Sequence, residues 1–219
     1  MILHGIVEGP TDAVVLKGFA AEILGTTKII WTTLQPEVSL AFGHPSQGRY
    51  GGGWKGVRGK CREIAALGGV VAAGVLENVD ALIVHLDGEV AEEAEVNVAK
   101  PCPPAMATAT ELMKAAQGWL GEGSDHRKVV YAIPCMETEA WLLPGLRPTA
   151  SLELCVECSP KPSVWFQGGR PKLVEQSGKK KRRVYEQSLP AIRKSWPAAS
   201  RLSTAEAFAT RLVDATDRD

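Results

Sequence analysis

Three pairs of acids stand where the sequence passes from apolar to polar: Glu8 with Asp12 four residues on, Asp87 with Glu89, and Glu137 with Glu139. Each follows a short apolar run, and the run ending in Leu82-Ile83-Val84-His85-Leu86-Asp87-Gly88-Glu89 is the clearest. A buried strand of a parallel sheet ends in this way and delivers its acids to the C-terminal edge, where acids far apart in sequence can meet. Carboxylates crowded together either raise one another's pKa or share a divalent cation, and all-oxygen donors suit Mg²⁺ or Mn²⁺ rather than zinc. Two such ions roughly 3.5–4 Å apart activate a water and stabilise the leaving oxygen of a phosphodiester. Phosphoryl chemistry is therefore the use to expect. Within this set Asp12 also fits the role of a helix-capping or first-turn acid. Glu137 reads as the surface member of its pair, and His85, inside an apolar strand, as a core histidine rather than a ligand.

The elements that must carry these residues follow from periodicity. Met1 to Val7, Lys28 to Leu34, Ala81 to Leu86 and Lys128 to Ile133 read as strands. The turn Glu8 to Asp12 opens a helix that Thr11 or Asp12 would cap and Gly25 would end. Gln35 to Gly59 reads as a long glycine-rich loop, Cys61 to Leu76 as a helix, and about Pro104 to Leu120 as another. A short helix after Pro134 would stop at Pro144 and Gly145. Strands alternate with helices, so the expected fold class is α/β: a mainly parallel sheet flanked by helices over residues 1–145. Residues 146–219 would form an irregular connection to about Gly169 and then a helical extension, with short helices at Pro171–Gln176, Tyr185–Ser195 and Ser203–Asp214.

The chain has 219 residues, with 25 basic and 25 acidic, so attraction to nucleic acid must come from local asymmetry. Bases concentrate at Arg49, Lys55, Arg58 and Lys60, beside Tyr50 and Trp54 in a glycine-rich stretch suited to phosphates and stacked bases. A second concentration is the run Lys179 to Arg183, with Lys180 and Arg182. No apolar run is long enough to span a bilayer and no signal sequence is evident, so a cytoplasmic protein is expected. Five scattered cysteines fit reduced thiols; Cys155-x-x-Cys158 has metal-ligand spacing but reads as half a zinc site with no second half.

The order strand, Glu8-Gly9-x-Thr11-Asp12, helix, then strand, Asp87-x-Glu89, resembles the Toprim domain of topoisomerases, primases and the OLD (overcoming lysogenization defect) nucleases. The likeness extends to small stand-alone Toprim-like proteins of unknown function related to the OLD nucleases. There the stretch Pro134-Cys135-Met136-Glu137-Thr138-Glu139-Ala140-Trp141-Leu142-Leu143, the pair Pro171-Lys172 and the helix around Tyr185 have counterparts. The resemblance implies a Toprim-like fold and a metal-dependent nuclease acting on DNA, or else RNA, with Mg²⁺ or Mn²⁺. It implies Glu8 as ligand or general acid/base, Asp12, Asp87, Glu89 and Glu139 as further ligands, and Lys172 as the charge-stabilising cation. A glutamate stands at Glu89 where that family usually has aspartate. Because the chain lacks G-x-x-x-x-G-K-[ST], the ABC-type ATPase joined to the Toprim domain in the OLD family would have to act in trans. A non-catalytic binding or regulatory subunit that docks a partner through the same fold is the competing expectation. A small-molecule phosphotransferase or hydrolase, with a phosphate pocket at Gly9 to Thr11, is a third.

Overall fold

The computed structural model describes residues 1–37, 49–149 and 156–217. Four strands, β1 (Ile2–Ile6), β2 (Ile30–Gln35), β3 (Ala81–His85) and β4 (Val129–Ala132), form an all-parallel sheet in the order β2-β1-β3-β4. The fold is thus α/β, with helices on both faces. Residue alternation along the strands sorts the core into two halves. Leu3, Ala81, Ile83, Val130 and Ala132 face α1 (Pro10–Ile23) and the C-terminal helices, whereas Leu82, Val84, Val129 and Tyr131 face α2 (Gly53–Ala66) and α4 (Ala105–Leu120). No helix among the described residues is long and apolar enough to cross a membrane.

From β1 the chain moves outward to β2, then returns to place β3 on the opposite side of β1. The carboxyl ends of β1 and β3 therefore flank the switch point of the sheet, the crevice where α/β sheets bind ligands. Glu8 and Asp87 lie just beyond those two ends.

Several local expectations are corrected. Helix α1 begins at Pro10 with extended Gly9 as its N-cap, so Thr11 and Asp12 lie inside the first turn and cap nothing. A proline at the first position suits a helix start, since its missing N–H would have no intrahelical acceptor. Part of the predicted loop Gln35–Gly59 is helical: Gly51 and Gly53 take positive φ (71° and 69°) and lead into α2. There Trp54, Val57, Cys61 and Ile64 form a buried stripe at helical spacing. Residues 38–48 of that predicted loop lie outside the described residues. The helix expected through Leu76 breaks after Ala66; Gly68 and Gly69 take positive φ before the single turn α3 (Gly69–Ala72).

Helix α5 (Glu139–Leu146) runs through Pro144 and Gly145 rather than stopping at them. Gly145 is where α7 (Leu189–Ala199) crosses, and any Cβ there would overlap Ser195. The predicted helix Pro171–Gln176 is absent; the segment is irregular, and Val174 pairs with Lys180 in an isolated antiparallel bridge around Gly178 (φ 82°). The helix expected at Tyr185–Ser195 is two helices, α6 (Arg182–Gln187) and α7. In the irregular connection, of which 150–155 lie outside the described residues, the Arg147 guanidinium donates to the carbonyls of Leu146, Trp165, Gly168, Arg170 and Pro171 and lies over the Phe166 ring.

Helix α8 (Ser203–Thr216) is held by a side chain distant in sequence. The buried Glu157 carboxylate accepts from the backbone N–H groups of Ser203 and Thr204, each at 2.9 Å, and from both hydroxyls. A carboxylate at a helix N-terminus satisfies donors that have no intrahelical partner and complements the macrodipole. Glu157→Ala is expected to lower stability by about 2 kcal/mol. Urea unfolding checks this, and an unchanged midpoint would show that α8 does not depend on this cap.

Candidate metal centre

Glu8 follows β1 directly, and its Oε1 accepts from the backbone N–H of Asp87 at 2.7 Å. This contact bridges the switch point and joins two residues 79 apart in sequence. Asp87 ends the β3 arm with its carboxylate turned toward the start of α5. Oδ1 accepts from the Thr138 backbone N–H at 2.9 Å and the Thr138 hydroxyl at 3.2 Å, and lies 3.3 Å from His85 Nε2. Asp12, 5 % exposed, arrives from the first turn of α1. Asp12, His85 and Asp87 each present a ligand atom within 4.8 Å of the others.

The electrostatics follow from burying so many acids together. Burial, reinforced by the Asp87 charge, pushes the Glu8 carboxyl up to about 8. Asp12 is raised for the same two reasons. Burial would raise Asp87 as well, but the hydrogen bond and positive charge of His85, with Lys180 and Thr138, hold it below the usual carboxylate range. Burial opposes a charge on His85, yet its hydrogen bond to Asp87 and the surrounding carboxylates carry its pKa up to about 9. His85 thus sits among acids that favour its charged form.

Glu139 lies fully buried beside this group at the start of α5. Burial pushes its carboxyl up to about 7 despite Lys180, whose Nζ stands 2.6 Å from Oε2; Tyr185 donates to Oε1 at 2.5 Å. Lys180 is raised by Glu139 and then Asp87, against its own desolvation. Glu137, expected at the surface, is mostly enclosed, with its side chain 14 % exposed. It accepts from the Ser163 N–H at 2.9 Å.

The structure therefore brings Glu8, Asp12, Asp87 and Glu139 to one edge and separates other expected residues from it. Glu89 is carried outward by a 3₁₀ turn, Gly88–Glu92, and is exposed at the rim. Lys172 is exposed and makes no ion pair with another described residue; the cation at the cluster is Lys180, a residue expected to bind nucleic acid. The remaining bases are engaged inside the chain. Lys55 and Arg58 pair with Glu95 at 3.1 and 2.8 Å, Lys60 with Glu37 and Glu63 at 3.1 and 2.9 Å, and Arg182 with Glu186 at 2.7 Å. Arg49 lies over the Tyr50 ring, and Trp54 is 9 % exposed, packed in the core beneath Lys55 and Arg58 rather than open to a base. Glu95 thus folds back on the basic segment and pairs with two of its bases. His85 is fully buried, as its place in an apolar strand implied, and its Nε2 meets Asp87 because a spacing of two on extended backbone puts both on one side of the sheet.

Fold and site together define an α/β protein with an all-parallel sheet and a buried carboxylate cluster at its switch point. Compared with known proteins, the chain matches no family model, no curated protein and no solved structure.

Proposed function

We propose that this chain is a metal-dependent phosphodiester hydrolase of Toprim-like type acting on nucleic acid, DNA before RNA. The observation that carries this reading is the Glu8 carboxylate bonded to the backbone N–H of Asp87 across the switch point, with Asp12 beside them. The donor chemistry fits a hard cation, because the Glu8 and Asp12 carboxyls, raised by burial and then by the Asp87 charge, are short of positive charge. Glu8, Asp12 and Asp87 would hold Mg²⁺ or Mn²⁺, which when bound supplies neutralisation of phosphate charge and an acidified water. The protein's own groups prepare the place. Thr138 and His85 fix Asp87 through Oδ1, leaving Oδ2 as the oxygen a ligand would meet. Lys180, anchored on Glu139, sets a cation beside the cluster, the role expected of Lys172.

The test is Mn²⁺ binding by calorimetry together with cleavage of plasmid and single-stranded substrates. Asp87→Asn and Glu8→Gln are each expected to weaken Mn²⁺ binding by roughly ten- to a hundredfold and to remove cleavage. Unaltered Mn²⁺ affinity in both variants would refute the metal centre.

A second reading has its own observation. Lys55, Arg58, Lys60 and Arg182, the bases expected to meet a phosphate backbone, are all ion-paired within the chain. A regulatory or binding subunit that docks a partner, an ABC-type ATPase acting in trans among them, fits that pairing. Such a subunit would keep partner binding in Asp87→Asn and cut no substrate with any metal.

A further inference from the structure

Away from the carboxylates, three cysteines distant in sequence converge. Cys102 precedes α4, Cys135 follows β4, and Cys158 ends a 3₁₀ turn, Val156–Cys158. Their sulfurs all lie within 4.8 Å of one another; Cys102 and Cys158 are joined as a disulfide, and Cys135 Sγ stands 3.0 Å from Cys102 Sγ. The expectation of reduced thiols is corrected at Cys102 and Cys158, which are joined, and the half-site at Cys158 acquires partners from two other segments. A disulfide needs two sulfurs; here three are gathered, one of them fully buried. Four thiolates around zinc, at about 2.3 Å each, stand about 3.8 Å apart, below the 4.8 Å that bounds the separations of these three sulfurs.

We propose that Cys102, Cys135 and Cys158 form a thiolate site for Zn²⁺. Soft sulfur donors select Zn²⁺ over the hard cations suited to the carboxylate cluster, so the two sites take different metals. A dithiol reductant opens the Cys102–Cys158 bond, giving it two electrons and two protons and leaving as its own disulfide. Zinc binding then displaces the thiol protons to solvent. One further ligand would complete the tetrahedron. The ion would brace three segments at once. Cys135 belongs to the stretch whose Met136 carbonyl accepts from Gly88 N–H at 2.6 Å, next to Asp87. Cys158 adjoins Glu157, the cap of α8. The zinc site is thus a staple behind the carboxylate edge, made of different residues from that edge.

The full chain, purified under reducing conditions with zinc supplied, tests this by elemental analysis and zinc X-ray absorption. The expected result is equimolar zinc with a sulfur shell near about 2.3 Å. That zinc should be lost in Cys135→Ser and Cys158→Ser and retained in Asp87→Asn. Replacement of zinc by Co²⁺ should give a thiolate-to-cobalt charge-transfer band in the wild-type protein, which decides the matter if the cysteine variants fail to fold. No zinc in the reduced protein, a shell of oxygen and nitrogen only, or zinc lost in Asp87→Asn but kept in Cys135→Ser would each overturn the proposal. Failure of the carboxylate site to bind Mn²⁺ would leave these outcomes unchanged.

Discussion

Gly88→Ala is expected to destabilise the protein by roughly 3–5 kcal/mol, the range of the most damaging single substitutions, and to remove divalent-metal binding with it. The cause is space, since Gly88 has no positive φ among the backbone angles that would demand glycine. A Cβ at position 88 would overlap the Cys135 carbonyl and approach the Pro134 oxygen to 2.8 Å. These are backbone atoms, which no rotamer change can move aside, so the arms leaving β3 and β4 would have to part. Parting them breaks the Gly88 N–H bond to the Met136 carbonyl and draws Asp87 Oδ1 away from Thr138. Gly118 in α4 is the control, because a Cβ there meets nothing within 4 Å. Gly118→Ala should stabilise by about 0.5–1 kcal/mol through helix propensity. Denaturant unfolding of the two variants compares them directly, and a wild-type midpoint for Gly88→Ala would mean that the two arms are not in close contact.

The acids at the strand ends were legible in the sequence because burial imposes a sharp boundary. A strand covered on both faces must be apolar throughout, so the first carboxylate after Leu82-Ile83-Val84 marks where the sheet meets solvent. The edge strand β2, only partly buried, was legible instead from its β-branched and aromatic residues. Helix α2 was hidden by the density of glycine around Trp54, although Trp54, Val57, Cys61 and Ile64 already carried the period of a helix. Pro144 and Gly145 read as a stop because local propensity disfavours both in helices, whereas packing against Ser195 of α7 calls for the missing Cβ at position 145. The partners of the carboxylates were out of reach for a different reason. Nothing local relates Lys180 to Glu139, or Cys102 to Cys135 and Cys158; each meeting is made by the tertiary path of the chain. The basic segment at Arg49 to Lys60 misled because a one-dimensional charge run does not show the acid, Glu95, that folds back upon it.

Lys180→Met is expected to cost roughly 3 kcal/mol, the lower end of the range for removing one partner of a buried ion pair. Lys180 reaches Glu139 because the Val174–Lys180 bridge and the turn at Gly178 fold the basic run back toward α5. Its ammonium side chain is 24 % exposed, whereas the Glu139 carboxylate is 1 % exposed, so the acid bears most of the desolvation. Without the lysine, Glu139 would keep the Tyr185 hydroxyl but face Asp12, Asp87 and Glu137, all of which disfavour its charge. Removing the charge from both partners should therefore be milder than removing the cation alone. In Glu139→Gln/Lys180→Met the amide can still accept from Tyr185 and no buried charge is left without a counter-ion, so the double variant should recover part of the loss. A double-mutant cycle by denaturant unfolding measures this, with the deficit of the double variant expected to be smaller than the sum of the two single ones. Strict additivity would show that Lys180 and Glu139 act independently and that Lys180 is not held at the carboxylate edge by this pair. Coupling together with weaker nucleic-acid cleavage in Lys180→Met would instead identify Lys180 as the cation that serves the edge.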